Sequence, residues 1–352
     1  MAFSLKIQGT EFQNFQDFKL DLVFNSIASA FSFKAFVDFE DPKMRSLFRP
    51  FSYRKVAVFA DGRLVLTGVI LNHKLIDDGE PNMIAVSGYS VTGVLQDSSI
   101  PISTYPLQSD KKTIAEITTN LIEPFGLSLS NQTSEADVAL DTSTANATDS
   151  VAAYLNKLCA QKNIVLTHNA AGQVVLKQVV PGRSIGFLQP GSYTSIELSC
   201  KGQGMHDQLT ALRQASSLDP SEAESSVRNP FIVEYSTAVT PSNPYIPNFR
   251  PLVKEQTSDS EDSTSLVVQN MLASELRNIT FGISLPSWYI GGQLAQPEQV
   301  ITIDGTALNI RGHIDLFIES VSFKGSPSEQ IAELGCVLPQ VYNGQTPENF
   351  FL

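Results

Sequence analysis

The residues able to do chemistry are few and scattered. The four histidines, His73, His168, His206 and His313, lie in different segments. No HExxH joins any two of them, and no two sit at metal-ligand spacing. His206-Asp207 would offer a base beside an orienting carboxylate. Neighbours in a strand point to opposite faces, however, so a strand would part them and the pair reads as loop. Gly202-x-Gly204-x-x-Asp207 lacks the third glycine of a dinucleotide fingerprint and opens no helical pattern. No phosphate-cradling loop and no G-x-S-x-G elbow occurs. The carboxylate pairs Asp77-Asp78 and Glu261-Asp262 fall in a turn and at a helix start, where they solvate the chain or face the helix dipole. A glycosidase needs two carboxylates brought together by the fold, which spacing does not reveal. Cys159, Cys200 and Cys336 form no CxxC and are odd in number, so they are expected as small buried residues kept reduced. The expectation is no enzyme, no cofactor and no metal. One aromatic pair stands out. Trp288-Tyr289 sits beside Gly291-Gly292 and either anchors an interface or a sugar, or fills local core.

The elements that would position these residues change character along the chain. Phe18, Leu20 and Leu22 alternate with Asp17, Lys19 and Asp21, and Phe31, Phe33, Ala35, Val37 and Phe39 alternate with Ser32, Lys34 and Asp38. A period of two means strands with one apolar and one polar face. Lys55 to Ala60, a turn at Asp61-Gly62 and a run to Gly68 read as a hairpin. Another strand follows from Met83, and no helix is expected before about residue 110. Ser109 or Asp110 can then cap a helix bearing Ile114, Ile117, Leu121 and Ile122, ended by Pro124 and Gly126. A second helix carries Val151, Tyr154, Leu155, Leu158 and Cys159 on one stripe, ahead of strands 164–167 and 173–180. Strands resume at 192–199 and 208–214. The Ser-, Pro- and acid-rich stretch 216–265 reads as loops. A helix at 263–277 turns Val267, Val268, Met271, Leu272 and Leu276 inward, and the remainder to Leu338 is β.

Composition narrows the class. The 352 residues are 17 % charged and 42 % hydrophobic with a net charge of −12, which disfavours both disorder and a generally basic nucleic-acid binder. No apolar run reaches the ~20 residues of a membrane span. Without a basic n-region and apolar h-region at its start, the chain is read as lacking a secretory signal. The N-x-S/T matches at Asn131, Asn146 and Asn278 are then chance.

An internal similarity outweighs these motifs. The run from Val56 through Asp61-Gly62 to Gly68 resembles Val300 through Asp304-Gly305 to Gly312. After each, two apolar runs flank a turn and reach Gly88 or Gly335. Either a β unit is duplicated or two β regions share turn chemistry.

With Tyr53-Arg-Lys-Val-Ala-Val-Phe-Ala-Asp-Gly-Arg-Leu-Val-Leu-Thr-Gly, Ile84-Ala-Val-Ser-Gly-Tyr-Ser-Val-Thr-Gly and the helical blocks from Thr113 and Val151, the order of elements becomes recognisable. It is completed by Pro297-Glu-Gln-Val-Ile-Thr-Ile through Ile318-Glu-Ser-Val-Ser-Phe. The chain resembles the baseplate or tail hub proteins of contractile-tailed, Mu-like phages, the late control protein D family. The resemblance implies a mainly β, α+β chain with two tube-like β-barrels and smaller α+β domains inserted. The implied division is barrel 1 at 1–107, an α+β insert at 108–185, and barrel 2 at 186–217 and 297–343. A loop-rich insert with one helix would occupy 218–296, and a tail 344–352.

The implied role is structural: a homotrimer adapting a six-fold tail tube to a three-fold spike and lining a channel for DNA. Its partners would be a tail tube or distal tube protein, a separate spike protein and baseplate wedge proteins, with no tight nucleic-acid binding and no membrane span. It would reside in the virion baseplate, assembled in the bacterial host cytoplasm. The hub of a genome-free injection particle and a glycan-binding tail adhesin are the alternatives. The polar face of Asp17, Lys19 and Asp21 would line the lumen or meet a neighbouring subunit. Trp288, Tyr289 and the apolar end Phe350, Phe351 and Leu352 are candidate docking residues for partners.

Overall fold

The computed structural model describes residues 3–13, 15–77, 82–214, 235–239, 243–256, 264–326 and 329–351. The chain begins with β1 (Phe3–Ile7) and a short hairpin partner, β2 (Thr10–Phe12). Then come β3 (Asp17–Val23), β4 (Ala30–Phe36), β5 (Lys55–Ala60), β6 (Arg63–Ile76) and β7 (Met83–Ser90). Their spatial order is β3-β4-β7-β6-β5-β1. The alternation seen in sequence is real: Phe18, Leu20, Leu22, Phe31, Phe33 and Ala35 are buried on one face. Asp61 and Gly62 both take positive φ, 48° and 76°, the backbone a tight strand-to-strand turn demands. The expectation of no early helix needs correcting. Helix α1 (Pro42–Leu47) is started by Asp41, whose carboxylate accepts from the Lys43 N–H, with proline at its first position. One and a half turns are too few to print an apolar period.

The middle segment holds α2 (Val94–Asp97), β8 (Gln108–Asp110), α3 (Ile114–Ile122), β9 (Leu129–Asn131), β10 (Thr142–Thr144), α4 (Val151–Gln161), β11 (Val165–His168) and β12 (Val174–Lys177). It has its own core, in which Leu95, Ile114, Ile117, Leu121, Val151, Leu155, Leu158, Leu166 and Leu176 pack together with Ile27 of the first half. The cap of α3 is Thr113, not Ser109 or Asp110. Thr113 and Glu116 form a reciprocal capping box, while Ser109 and Asp110 pair in β8 with β10. The insert is tied to the first half where Thr67 Oγ1 donates to the Ala170 carbonyl at 2.8 Å and His168 Nδ1 meets the Ser26 carbonyl at 3.2 Å.

The last part contains β13 (Ser184–Leu188), β14 (Ser195–Cys200), β15 (Gln208–Gln214), β16 (Tyr235–Val239), β17 (Pro251–Gln256), α5 (Thr264–Leu276) and β18 (Ile279–Leu285). The hairpin β19 (Tyr289–Ile290) and β20 (Gln293–Leu294) leads to β21 (Val300–Asp304), β22 (His313–Ser326), β23 (Glu329–Val337) and α6 (Gln340–Asn343). Six of these strands lie in the order β14-β18-β23-β22-β21-β13. In both halves the chain's second, third, sixth, fifth, fourth and first main strands follow one another across the sheet.

The correspondence extends to irregularities. β6 carries a bulge between Ile70 and Asn72 where it pairs with β7, and β22 carries one between Ile318 and Ser320 where it pairs with β23. Aligned on the bulges, Lys55 rather than Val56 corresponds to Val300, one residue from the match seen in sequence. Two differences remain. β1 runs antiparallel to β5 while β13 runs parallel to β21, and Asp304-Gly305 opens a loop with a turn at Thr306–Leu308 instead of a tight hairpin.

The halves are stitched together by β22. Its first residues pair with β21, and from Ser320 onward the same edge pairs with β3, from Ser320 opposite Val23 to Gly325 opposite Phe18. Among the described residues, strand pairing thus runs continuously through both halves and closes no ring within either. Two segment assignments shift. β18, placed by sequence in the 218–296 insert, is an inner strand of the second half. β15, placed in that half, instead builds a small sheet, β16-β15-β17, on which α5 packs. The tail also differs from a free end: the Arg311 N–H donates to the Phe350 carbonyl, and Asn349 donates to the Pro244 carbonyl.

Candidate assembly interface

The face of β3 opposite the core carries Asp17, Lys19 and Asp21. Lys19 Nζ lies 2.7 Å from Asp21 Oδ2. Across the ladders, Asp17 faces Lys34, Lys19 faces Ser32 and Lys324, and Asp21 faces Ser322. Lys324 in turn pairs with Glu333 at 2.6 Å. The three predicted residues therefore do come together, in a ribbon of mixed sign that crosses the joint between the halves. Such a surface has neither the excess positive charge that condenses on phosphates nor the apolar content of a permanent contact.

The aromatic candidates fare differently. Trp288 is 5 % exposed. Its Nε1–H donates to the carbonyls of Lys324 and Ile331, both at 3.1 Å, and its ring meets Phe3 edge-on at 4.6 Å. It is core, and its reading as a docking residue is overturned: an indole next to glycines fits equally well beneath a sheet end, where Gly325 leaves room for it. Tyr289 is half-buried and donates its hydroxyl to Asp61. Phe350 and Phe351 are half-buried against Tyr245, at 5.2 and 6.1 Å between rings, so the tail is occupied by its own chain. Leu352 lies outside the described residues.

Sequence reading missed the exposed apolar side chains. Phe51 and Tyr53 are 81 % and 60 % exposed, and both adopt positive φ, a rare state for bulky residues. Their only sequence signal is a pair of aromatics on either side of Ser52, just after Pro50. Leu75 on β6 and Phe249 are exposed as well.

The polar groups that are buried serve packing. Glu319, at the bulge of β22, receives hydrogen bonds from Arg277 after α5 and from the Tyr342 hydroxyl on α6, clamping both helices to the sheet. Burial and the Glu319 charge push the Tyr342 phenol well up. His206 meets the buried Glu275 at 2.6 Å, whereas Asp207 accepts from the Arg250 N–H, so the adjacent pair is split between two structural tasks. Burial pushes the Cys159 thiol up to about 12 and raises Cys336 further, which denies both the thiolate state a nucleophile needs. Cys200 corrects the expectation of three buried cysteines: it is exposed, at the end of β14. Among the described residues no group of three or more His, Cys, Asp or Glu side chains is placed to hold a metal. No described helix is long and apolar enough to cross a membrane.

Comparison with known proteins bears on the fold. Residues 92–178, the insert, match the family model of the baseplate hub protein gp44-like, second domain. No curated protein sequence matches. Among solved structures, the chain is similar to the 43 kDa tail protein of prophage MuSo2 from Shewanella oneidensis. The TM-score is 0.77 at 17 % identity, over 97 % of this chain and 99 % of that one. A tail protein from Neisseria meningitidis MC58 gives 0.74 at 16 %, with 98 % of each chain covered. An E. coli type VI secretion component, itself structurally similar to T4 tail proteins gp27 and gp5, gives 0.56 at 11 %, over 98 % of this chain and 80 % of that one. The chain has the mainly β fold of phage tail and baseplate hub proteins.

Proposed function

We propose that this chain is the non-enzymatic hub of a phage tail baseplate, a homotrimer that adapts a six-fold tail tube to a three-fold spike and lines the channel between them. One observation carries the reading: two six-stranded halves of the same strand order, with bulges at matching places, follow one another in a single chain. Three such chains present six similar units to a six-fold ring. The non-identical parts, the insert with its own core and the small sheet under α5, repeat three times. A one-unit chain could satisfy only one of the two symmetries. Closed rings are the expected outcome of head-to-tail contacts, because contacts that do not close grow into filaments.

The mixed-charge ribbon around Asp17, Lys19 and Asp21 suits a lumen through which DNA slides, and the chain's net charge of −12 acts in the same sense. The tube protein, a separate spike and the baseplate wedge proteins are the partners this role requires. Burial of Trp288 removes the residue on which a glycan-binding adhesin would have rested. Native mass spectrometry of the purified chain, with particle images of the assembled tail, tests the proposal. The expected species is three chains with pseudo-six-fold density on one face; a stable dimer or a ring of six chains rejects it.

A further inference from the structure

The joint between the two halves is made once within the chain, and among the described residues the parts for making it a second time are present but unused. Within the chain, β3 lies between β4 and β22, and Phe18, Leu20, Leu22, Val321 and Phe323 are all buried. The counterpart of β3 in the second half is β14, which pairs with β18 and, among the described residues, with no strand on its other edge. The counterpart of the outer stretch of β22 is residues 72–76 of β6; on the β5 side the last bond is from the Ile70 N–H to the Arg54 carbonyl, and among the described residues no strand pairs with that edge beyond it.

Burial at these places shows what is missing. Leu75, equivalent to the fully buried Phe323, is 54 % exposed. Ile196 and Leu198, equivalent to Phe18 and Leu20, are only half-buried, and Cys200, equivalent to Leu22, is exposed. His73 Nε2, at the same edge, has no hydrogen-bond partner. We infer that β14 of one copy pairs antiparallel with the outer half of β6 in the next copy, in the register that β3 adopts against β22. Transferring that register sets His73 opposite Cys200, Lys74 opposite Ser199 and Leu75 opposite Leu198. The apolar side chains left open on each edge then cover one another. An open edge bearing apolar residues invites pairing with another chain, and the inference names the chain that takes it. Donor and acceptor edges differ, so the contact is head-to-tail. The inference deepens the hub reading and rests on it only for the number of copies.

Disulfide trapping tests the register. In the full-length chain, His73→Cys places a thiol opposite the native Cys200 of the neighbour. Oxidation with diamide should give covalently linked chains on a non-reducing gel. The wild type, the double variant His73→Cys/Cys200→Ser, and Lys74→Cys, whose side chain leaves by the other face, should give none. Leu75→Lys or Leu198→Lys should weaken self-association at least tenfold while leaving the circular dichroism of the single chain unchanged, since both side chains are part-exposed there. An oligomer by mass that forms no 73–200 link, or links equally through Lys74→Cys, overturns the joint. The largest linked species reports separately on copy number. Three chains fit the homotrimer, and any other closed number keeps the joint while rejecting three-fold symmetry.

Discussion

Trp288 shows how far residue identity alone reaches. The chain's single tryptophan had two readings in sequence, anchor or core, and only the contacts decide between them. Truncation to alanine should cost about 3–5 kcal/mol, because it removes a buried ring packed on Phe3 and Phe323. Urea unfolding should register this as a lower midpoint, whereas an adhesin anchor would have left stability untouched. Trp288→Phe should cost less, since the two carbonyls it abandons also belong to the β22–β23 ladder. Glu319 is a second test at this scale. Glu319→Ala leaves Arg277 and the Tyr342 hydroxyl without their shared acceptor and should destabilise by about 2–3 kcal/mol. Its signature is early exchange of α5 and α6 amides. Nothing in sequence pairs residue 277 with 319, because the bulge that turns the carboxylate toward the helices is created by pairing with β23.

Elements were legible in proportion to how local their causes are. The alternation in β3 and β4, the Asp61-Gly62 turn and the stripes of α3 and α4 are set by neighbours within a few residues, and the fold has them all. Helix α1 was too short to show a period. The exchange of β15 and β18 between insert and main sheet could not be read, since both are apolar strands distinguished only by partners far along the chain. The glycines beside the two bulges separate the halves experimentally. A Cβ at Gly88 would lie 1.8 Å from the Val69 carbonyl oxygen, which is backbone and cannot move aside. One at Gly335 would meet the Ser320 hydroxyl at 2.4 Å, which can rotate. Gly88→Ala should therefore destabilise by about 2–3 kcal/mol and Gly335→Ala by clearly less, as thermal midpoints would show. The insert's attachment should respond to acid. Burial holds His168 below its ordinary value of 6.5 where it meets the Ser26 carbonyl. The unfolded chain binds that proton more readily. Stability from burying the neutral ring is therefore whole above pH 6.5 and is lost as pH falls toward the depressed value, the Ser26 carbonyl offsetting part of that loss because it favours the protonated ring. Hydrogen exchange of β11 should accelerate over that range before the main sheet does.

At the scale of the whole molecule, charge sets the first expectation. With a net charge of −12 and a predicted lumen face of mixed sign, the assembled protein should bind duplex DNA more weakly than 1 μM at physiological salt. A filter-binding isotherm below that concentration would remove the sliding channel. The architecture was legible as a repeat because two halves of one chain share the order and pattern of their apolar strands, although the turns and glycines that drew attention to it do not coincide in the fold. The seam between them was not, since six facing pairs from opposite ends of the chain carry no sequence signature. That seam has a mechanical meaning. Tension drawn along β22 would run parallel to β3 and strain the seam's hydrogen bonds together, in shear, instead of peeling them one by one. In the proposed hub role the molecule would thus carry an axial load along its strands, with the weaker, zipper-like direction lying across them.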